Sequence, residues 1–193
     1  MSNVGALILA AGGSGRFGRP KQFLVFRGET LVGRATRAAT DACGAGVVVV
    51  AGDTCGQIEA ELRGSSVVVE NPEWRRGLGI SIRCGLRHLM KRASELDAVV
   101  LLACDQPFVD ASTIAALIAE HATSGKSIVA SSYANTLGIP ALFDRSCFEA
   151  LLALPDDSGA KALIESRRDD VAQIEFEQGA IDIDTPADFE RLA

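Results

Sequence analysis

The chain has 193 residues, of which 48% are hydrophobic and 23% charged, with a net charge of −6. This suits a globular α/β unit with a large core, and the acidic balance argues against nucleic acid as the main partner, because such proteins usually carry a basic excess. No apolar run reaches the ~20 residues that span a bilayer, and the first apolar stretch is short and lacks the charged leader of a secretory signal. No membrane association and a cytoplasmic location are the expectation.

In chain order, a continuous apolar run at 4–9 predicts a strand buried on both faces. A glycine-rich loop follows. Helices are then expected at 30–42, 54–63, 79–91 and 110–121, separated by strands at 47–51, 67–69, 98–103 and 127–130. Asp110, ahead of Ala-Ser-Thr, is a helix N-cap signal. Beyond residue 130 the rhythm loosens. A strand is expected at 139–143, helices at 145–152 and 159–167, strands at 171–176 and 180–184, and a closing helix at 186–192 with Pro186 in its first turn. With no linker or repeat, the expectation is a single domain over 1–193. Its fold should be a mostly parallel, doubly wound, Rossmann-like α/β sheet, with ligands at the C-terminal ends of the strands.

The first such end is the segment LAAGGSGRFGRPKQ (9–22), which packs Gly12, Gly13, Gly15 and Gly18 into seven positions and closes on Arg16, Arg19 and Lys21. Glycines let backbone N–H groups approach a ligand, and a concave run of them with nearby cations attracts phosphates. The segment is not a P-loop, since Lys21 is flanked by Pro20 and Gln22. The dinucleotide fingerprint matches only formally at Gly13, Gly15 and Gly18, because Pro20 interrupts the expected helix and Asp41 falls within a helical stretch. A plain turn remains the alternative to a triphosphate cradle.

Two further strand ends carry chemistry. Asp105 closes the apolar strand at 98–103, a natural place for a Mg²⁺ ligand beside a phosphate loop, since Mg²⁺ takes one or two carboxylates plus substrate phosphates. Asp182 and Asp184 would share one face of the strand expected at 180–184, so both are candidates for a second ligand. The alternative is that Asp184 caps the last helix and Asp182 is solvated. The five cysteines have no C-x-x-C spacing, and most read as small buried hydrophobes in a reducing compartment. His88 and His121 read as surface residues, and no Ser/His or Cys/His nucleophile arrangement is evident.

The chain resembles the MobA-like nucleotidyltransferases, and within them most of all the molybdenum cofactor cytidylyltransferase branch. The motifs that carry the resemblance are LAAGGSGRFGRPKQ (9–22), NPEWRRGLGISIRCGL (71–86), CDQPFV (104–109), GIPALF (138–143), DSGAKALI (157–164) and DIDTPADF (182–189). The resemblance implies a sheet of the nucleotide-diphospho-sugar transferase type. It also implies a reaction in which an acceptor phosphate attacks the α-phosphorus of a nucleoside triphosphate and pyrophosphate leaves, so that catalysis is mostly positioning and charge neutralisation. Lys21, Arg16 and Asp105 would be catalytic, and Asp105 and Asp184 would hold Mg²⁺. The nucleotide would lie on Leu9, Ala10, Ala11, Gly12, Gly13, Ser14, Gly15, Arg16 and Lys21, with Asn71, Gly79, Ser81 and Asp105 completing its site.

The Ala10-Ala11 step matches the cytidylyl branch, where the guanylyl branch tends to have Ala-Gly, which points to CTP over another NTP. Gly77 and Gly79 open a helix whose N-terminus suits an anion. Arg75, Arg76 and Arg83 would meet a phosphorylated pterin acceptor, molybdopterin or molybdenum cofactor. Trp74 either stacks on the pterin or packs in the core. Gln106, Pro140, Ser158, Gly159 and Lys161 complete the acceptor side. There the chain departs from the family in having Pro155-Asp156-Asp157 for the usual Gly-Asp before glycine, and Lys161 where many members have Arg. Transient contact with a molybdoenzyme or its chaperone is implied. Three other readings stay open: a related transferase that uses another nucleotide or another phosphorylated acceptor, an NAD(P)H-dependent oxidoreductase of the nicotine-blue type, and a non-catalytic cofactor carrier.

Overall fold

The computed structural model describes residues 3–12, 17–43 and 46–192. In chain order the elements are β1 (Val4–Leu9), β2 (Val25–Phe26), β3 (Glu29–Thr30), α1 (Leu31–Ala42), β4 (Val47–Ala51), α2 (Cys55–Leu62) and β5 (Val67–Glu70). Then come α3 (Leu78–Arg92), β6 (Ala98–Ala103), α4 (Ala111–Ser124), β7 (Ile128–Tyr133) and β8 (Thr136–Asp144). The chain ends with α5 (Phe148–Leu152), α6 (Ala160–Ser166), β9 (Val171–Glu175) and α7 (Pro186–Glu190).

A seven-stranded sheet runs β5-β4-β1-β6-β8-β7-β9. β1 pairs in parallel with β4 and with β6, whereas β8 is antiparallel to both β6 and β7. The sheet is therefore mostly parallel, with β8 running against its neighbours. Alternate side chains enter opposite cores, as a strand's period of two requires. Ala6 and Ile8 of β1 pack with α1 and α4 residues such as Val32 and Ile114, while Leu7 and Leu9 pack with Ile82, Leu86 and Leu89 of α3. Both faces are covered, which explains why β1, β4 and β6 are continuous apolar runs. α3 lies close because Gly85 has no side chain: a Cβ there would stand 2.1 Å from Leu7 Cδ1.

The Asp110 cap acts as expected, its side chain accepting from the Thr113 N–H. Thr30, expected inside α1, caps it by accepting from the Gly33 N–H, and the last helix is capped not by Asp184 but by Thr185, in a capping box with Asp188 ahead of Pro186.

Two elements differ from the sequence expectation. Residues 180–184 do not form a strand; a 3-10 turn at Glu177–Ala180 leads into an irregular segment. Its backbone is tied elsewhere, with the Ile183 N–H donating to the Asp105 carbonyl at 3.0 Å and Ile183 fully buried beside Phe17, Leu24, Phe26 and Leu31. The β2–β3 hairpin was not expected. Its two-residue turn takes positive φ at Arg27 (51°) and Gly28 (85°), the geometry that hairpins favour.

Candidate active site

The C-terminal ends of β1, β4, β5 and β6 open on one cleft. At the end of β1 the chain leaves through Ala10, Ala11 and Gly12, and the buried Gln22 side-chain amide donates to the Ala10 and Gly12 carbonyls at 2.7 and 3.2 Å. That clasp holds the loop's exit against its return as a 3-10 turn, Lys21–Phe23.

The same turn aims Lys21 inward. Its Nζ donates to Asp105 Oδ2 at 2.5 Å and to Asp184 Oδ1 at 3.0 Å, joining residues 84 and 163 positions apart. Burial pulls the Lys21 ammonium down, but the charge and hydrogen bonds of Asp105, then those of Asp184, outweigh it and hold the group above its ordinary value. Asp182 stands beside this trio. Desolvation of its carboxyl, then the charges of Asp105 and Asp184, push it up to about 6, although the residue keeps exposed surface.

This donor set fits a hard divalent cation. Two carboxylate oxygens already converge on one positive charge, and among the described residues no group of three ligating side chains forms a closed cage. A cation with one or two protein carboxylates, completed by phosphate and water, is the way Mg²⁺ is usually held.

The cleft around Lys21 and Asp105 encloses about 360 Å³, and a second hollow of about 460 Å³ adjoins it. Both are lined by Ala11, Gly12, Gln22, Trp74 and Arg75. The first also reaches Leu9 and Ser81, the second Arg19 and Asp53. Trp74 is half-buried. Its Nε1 donates to Asp53 Oδ1 at 3.0 Å, Arg75 Nη2 lies 2.5 Å from Asp53 Oδ2, and the Arg75 guanidinium covers the indole at 4.5 Å.

Other expected site residues are engaged within the protein. Ala10 is fully buried. Asn71 donates to Ser81 Oγ at 2.9 Å and accepts from the Glu73 N–H. The Gly79 N–H, expected to face an anion, instead donates to the Asp156 carbonyl at 2.9 Å. The 155–158 segment covers the start of α3 so closely that a Cβ on Gly79 would lie 2.0 Å from the Pro155 carbonyl oxygen. Gly77, at φ 138°, meets the same segment.

Arg76 and Arg83, expected to meet the acceptor, both pair with Asp156, and Arg83 also donates to the Leu154 carbonyl. Gln106 donates to the Ile139 and Gly179 carbonyls, and the Pro140 carbonyl accepts from Ser131 Oγ. Ser158 and Gly159 lead into α6, and the exposed Lys161 lies 4.0 Å from Glu165. Gly13, Ser14, Gly15 and Arg16 lie outside the described residues.

Cys104 lines the cleft but is buried, and burial first of all pushes its thiol up to about 12, so it is an inert core group. His88 stays on the exposed face of α3.

Sequence reasoning missed three residues. Asp53 follows β4 at the same sheet edge as Asp105, so the strand-end rule that selected Asp105 reaches it too. Gln22 ends the first motif. Asp156 had no local signal, because its role depends on two arginines more than 70 positions away.

Residues 6–171 match the model of the MobA-like NTP transferase domain. The Bacillus subtilis purine catabolism protein PucB is 27% identical over 199 residues, covering 96% of this chain and 94% of its own. The crystal structure of a Mycobacterium sp. strain JC1 homologue of the Mycobacterium tuberculosis protein Rv0371c superposes with a TM-score of 0.80 at 33% identity, covering 98% and 94% of the two chains. Rv0371c itself, crystallised in complex with manganese, superposes at 0.77 with 28% identity over 99% and 98%.

Proposed function

The chain belongs to the MobA-like NTP transferase family, and on that premise we propose that it transfers CMP from CTP to a phosphorylated pterin, molybdopterin or molybdenum cofactor, releasing pyrophosphate. The observation that carries nucleotidyl transfer is the Lys21 ammonium bridging Asp105 and Asp184 at the mouth of β1 and β6. A buried cation and two carboxylates near a glycine-rich stretch of sequence supply what triphosphate chemistry needs, which is fixed charge in a place where charge develops.

In this reading Lys21, with Arg16 and the loop backbone, neutralises the phosphates and orients the α-phosphorus toward the acceptor. Asp105 and Asp184 would hold a divalent cation, Mg²⁺ by preference, which when bound would supply positive charge against the phosphates; the manganese complex of Rv0371c supports a divalent metal here. The Ala10-Ala11 step favours cytosine. Arg75 and Trp74 line the wall on which the pterin would lie. In this reading residues 1–193 work as one unit in the cytoplasm, with transient delivery to a molybdoenzyme or its chaperone. Among the described residues no helix is long and apolar enough to cross a membrane.

The test is thermal stabilisation by CTP, GTP, ATP, UTP and NADPH, each with and without Mg²⁺, followed by pyrophosphate release with molybdopterin. Selective stabilisation by CTP with Mg²⁺ is expected. A shift with NADPH alone, indifferent to metal, would replace this reading with the oxidoreductase one.

A further inference from the structure

Before any nucleotide binds, both carboxylates assigned to the cation already hold a positive charge at contact distance: Lys21 Nζ is 2.5 Å from Asp105 and 3.0 Å from Asp184. Lys21 is only 8% exposed, yet it lines the cleft. The turn that carries it is anchored by its neighbour, since Gln22 grips the Ala10 and Gly12 carbonyls. The Lys21 side chain can therefore swing on its flexible four-carbon stem without dismantling the loop.

Resting on the metal reading above, we infer that Lys21 is a placeholder cation, occupying the seat between Asp105 and Asp184 until a divalent ion and a triphosphate arrive together. A lone divalent ion must expel the ammonium from its two carboxylates without itself bringing an anion to receive it. A triphosphate brings that anion. Metal and triphosphate then strengthen each other's binding, and by linkage the effect is reciprocal. The empty enzyme consequently keeps a weak affinity for free metal, and the charge that guards the metal seat is the one that later grips the phosphates.

The test is Mn²⁺ binding in the absence of nucleotide, by electron paramagnetic resonance and calorimetry, with circular dichroism to confirm folding. Wild type, Lys21→Met and Asp105→Asn are compared. Lys21→Met keeps the length of the stem and removes the charge, and it is expected to bind Mn²⁺ roughly tenfold or more tightly than wild type, because a contact cation no longer competes. Asp105→Asn should lose binding. Equal or weaker binding by Lys21→Met overturns the placeholder; if wild-type binding is still lost in Asp105→Asn, the metal reading survives that failure. Binding untouched by Asp105→Asn removes the metal reading and the placeholder with it.

A second measurement needs no variant. The ¹⁵N signal of the Lys21 ammonium is followed in wild type with Mg²⁺, with inorganic tripolyphosphate, and with both. It should move most with both present. A signal that stays fixed at saturation overturns the inference even if Lys21→Met does not fold.

Discussion

At the end of β1, Lys21 is buried between Asp105 and Asp184, whereas across the cleft the Arg76 side chain is 56% exposed and meets Asp156 and Glu73 at the surface. The Lys21 side of the cleft is fixed by a hidden cation and a glutamine clasp. Such a buried ionic group is costly to form and costly to break, so it is retained where its geometry is well satisfied. Across the cleft, Arg76 pairs where water reaches it, and exposed pairs contribute little to stability, whereas Arg83, whose side chain is 15% exposed, meets the same Asp156. Asp156 nonetheless titrates below its ordinary value, through its hydrogen bond to Arg83 and then that to Arg76. The lesson is one of preorganisation: on the proposed reading, the half meant for the charge-rich triphosphate is built in advance, while the exposed Arg76 can exchange Asp156 for the phosphate of a ligand.

The strongest way to break the comparison is Asp105→Ala. It removes one of the two carboxylates on Lys21, and pyrophosphate release should fall by roughly 10³-fold, the scale of losing a preorganised charge partner, with far-ultraviolet dichroism unchanged. Activity near wild type would take Asp105 out of the chemistry. Gly79→Ala should come next. Its Cβ would press on the Pro155 carbonyl oxygen at 2.0 Å, so the covering segment must shift, and urea unfolding should show a loss of about 1–3 kcal/mol, as overpacking usually gives. An unchanged midpoint would mean that the segment rides freely on α3.

Asp156→Asn sharpens the contrast more gently. It loosens the covering segment without touching Lys21, so the KM for the acceptor should rise severalfold while that for CTP stays constant. A matching change in both would show that the two halves are coupled.

The smallest effect concerns pH. Asp182 binds its proton more tightly in the folded state, with its value raised from 3.8 to about 6, so the stability it contributes is present below about 4 and lost as pH rises through about 6. Between those values wild type should lose stability relative to Asp182→Asn, read as a difference in Tm. Parallel pH profiles would show that neither burial nor the neighbouring carboxylates raise Asp182.

Much of this was readable from sequence. Continuous apolar runs at 47–51 and 98–103 can be little else than strands covered on both sides, and the cap at Asp110 lies within three residues of the N–H group it satisfies. Period and capping are local, so sequence alone determined the order of the main elements and pointed to the sheet edge at which Lys21, Asp105 and Asp184 meet. What it missed depended on distant partners. Residues 180–184 alternate like a strand but give a backbone hydrogen bond to the Asp105 loop instead of a sheet neighbour. β8 enters the sheet against its neighbours, which no local pattern dictates. Only the tertiary structure decided that Lys21 sits between Asp105 and Asp184, and that Asp156 gathers Arg76 and Arg83 over the start of α3. Charges attract whatever carboxylate the packed chain brings within reach, and packing, not spacing along the chain, chooses which one that is.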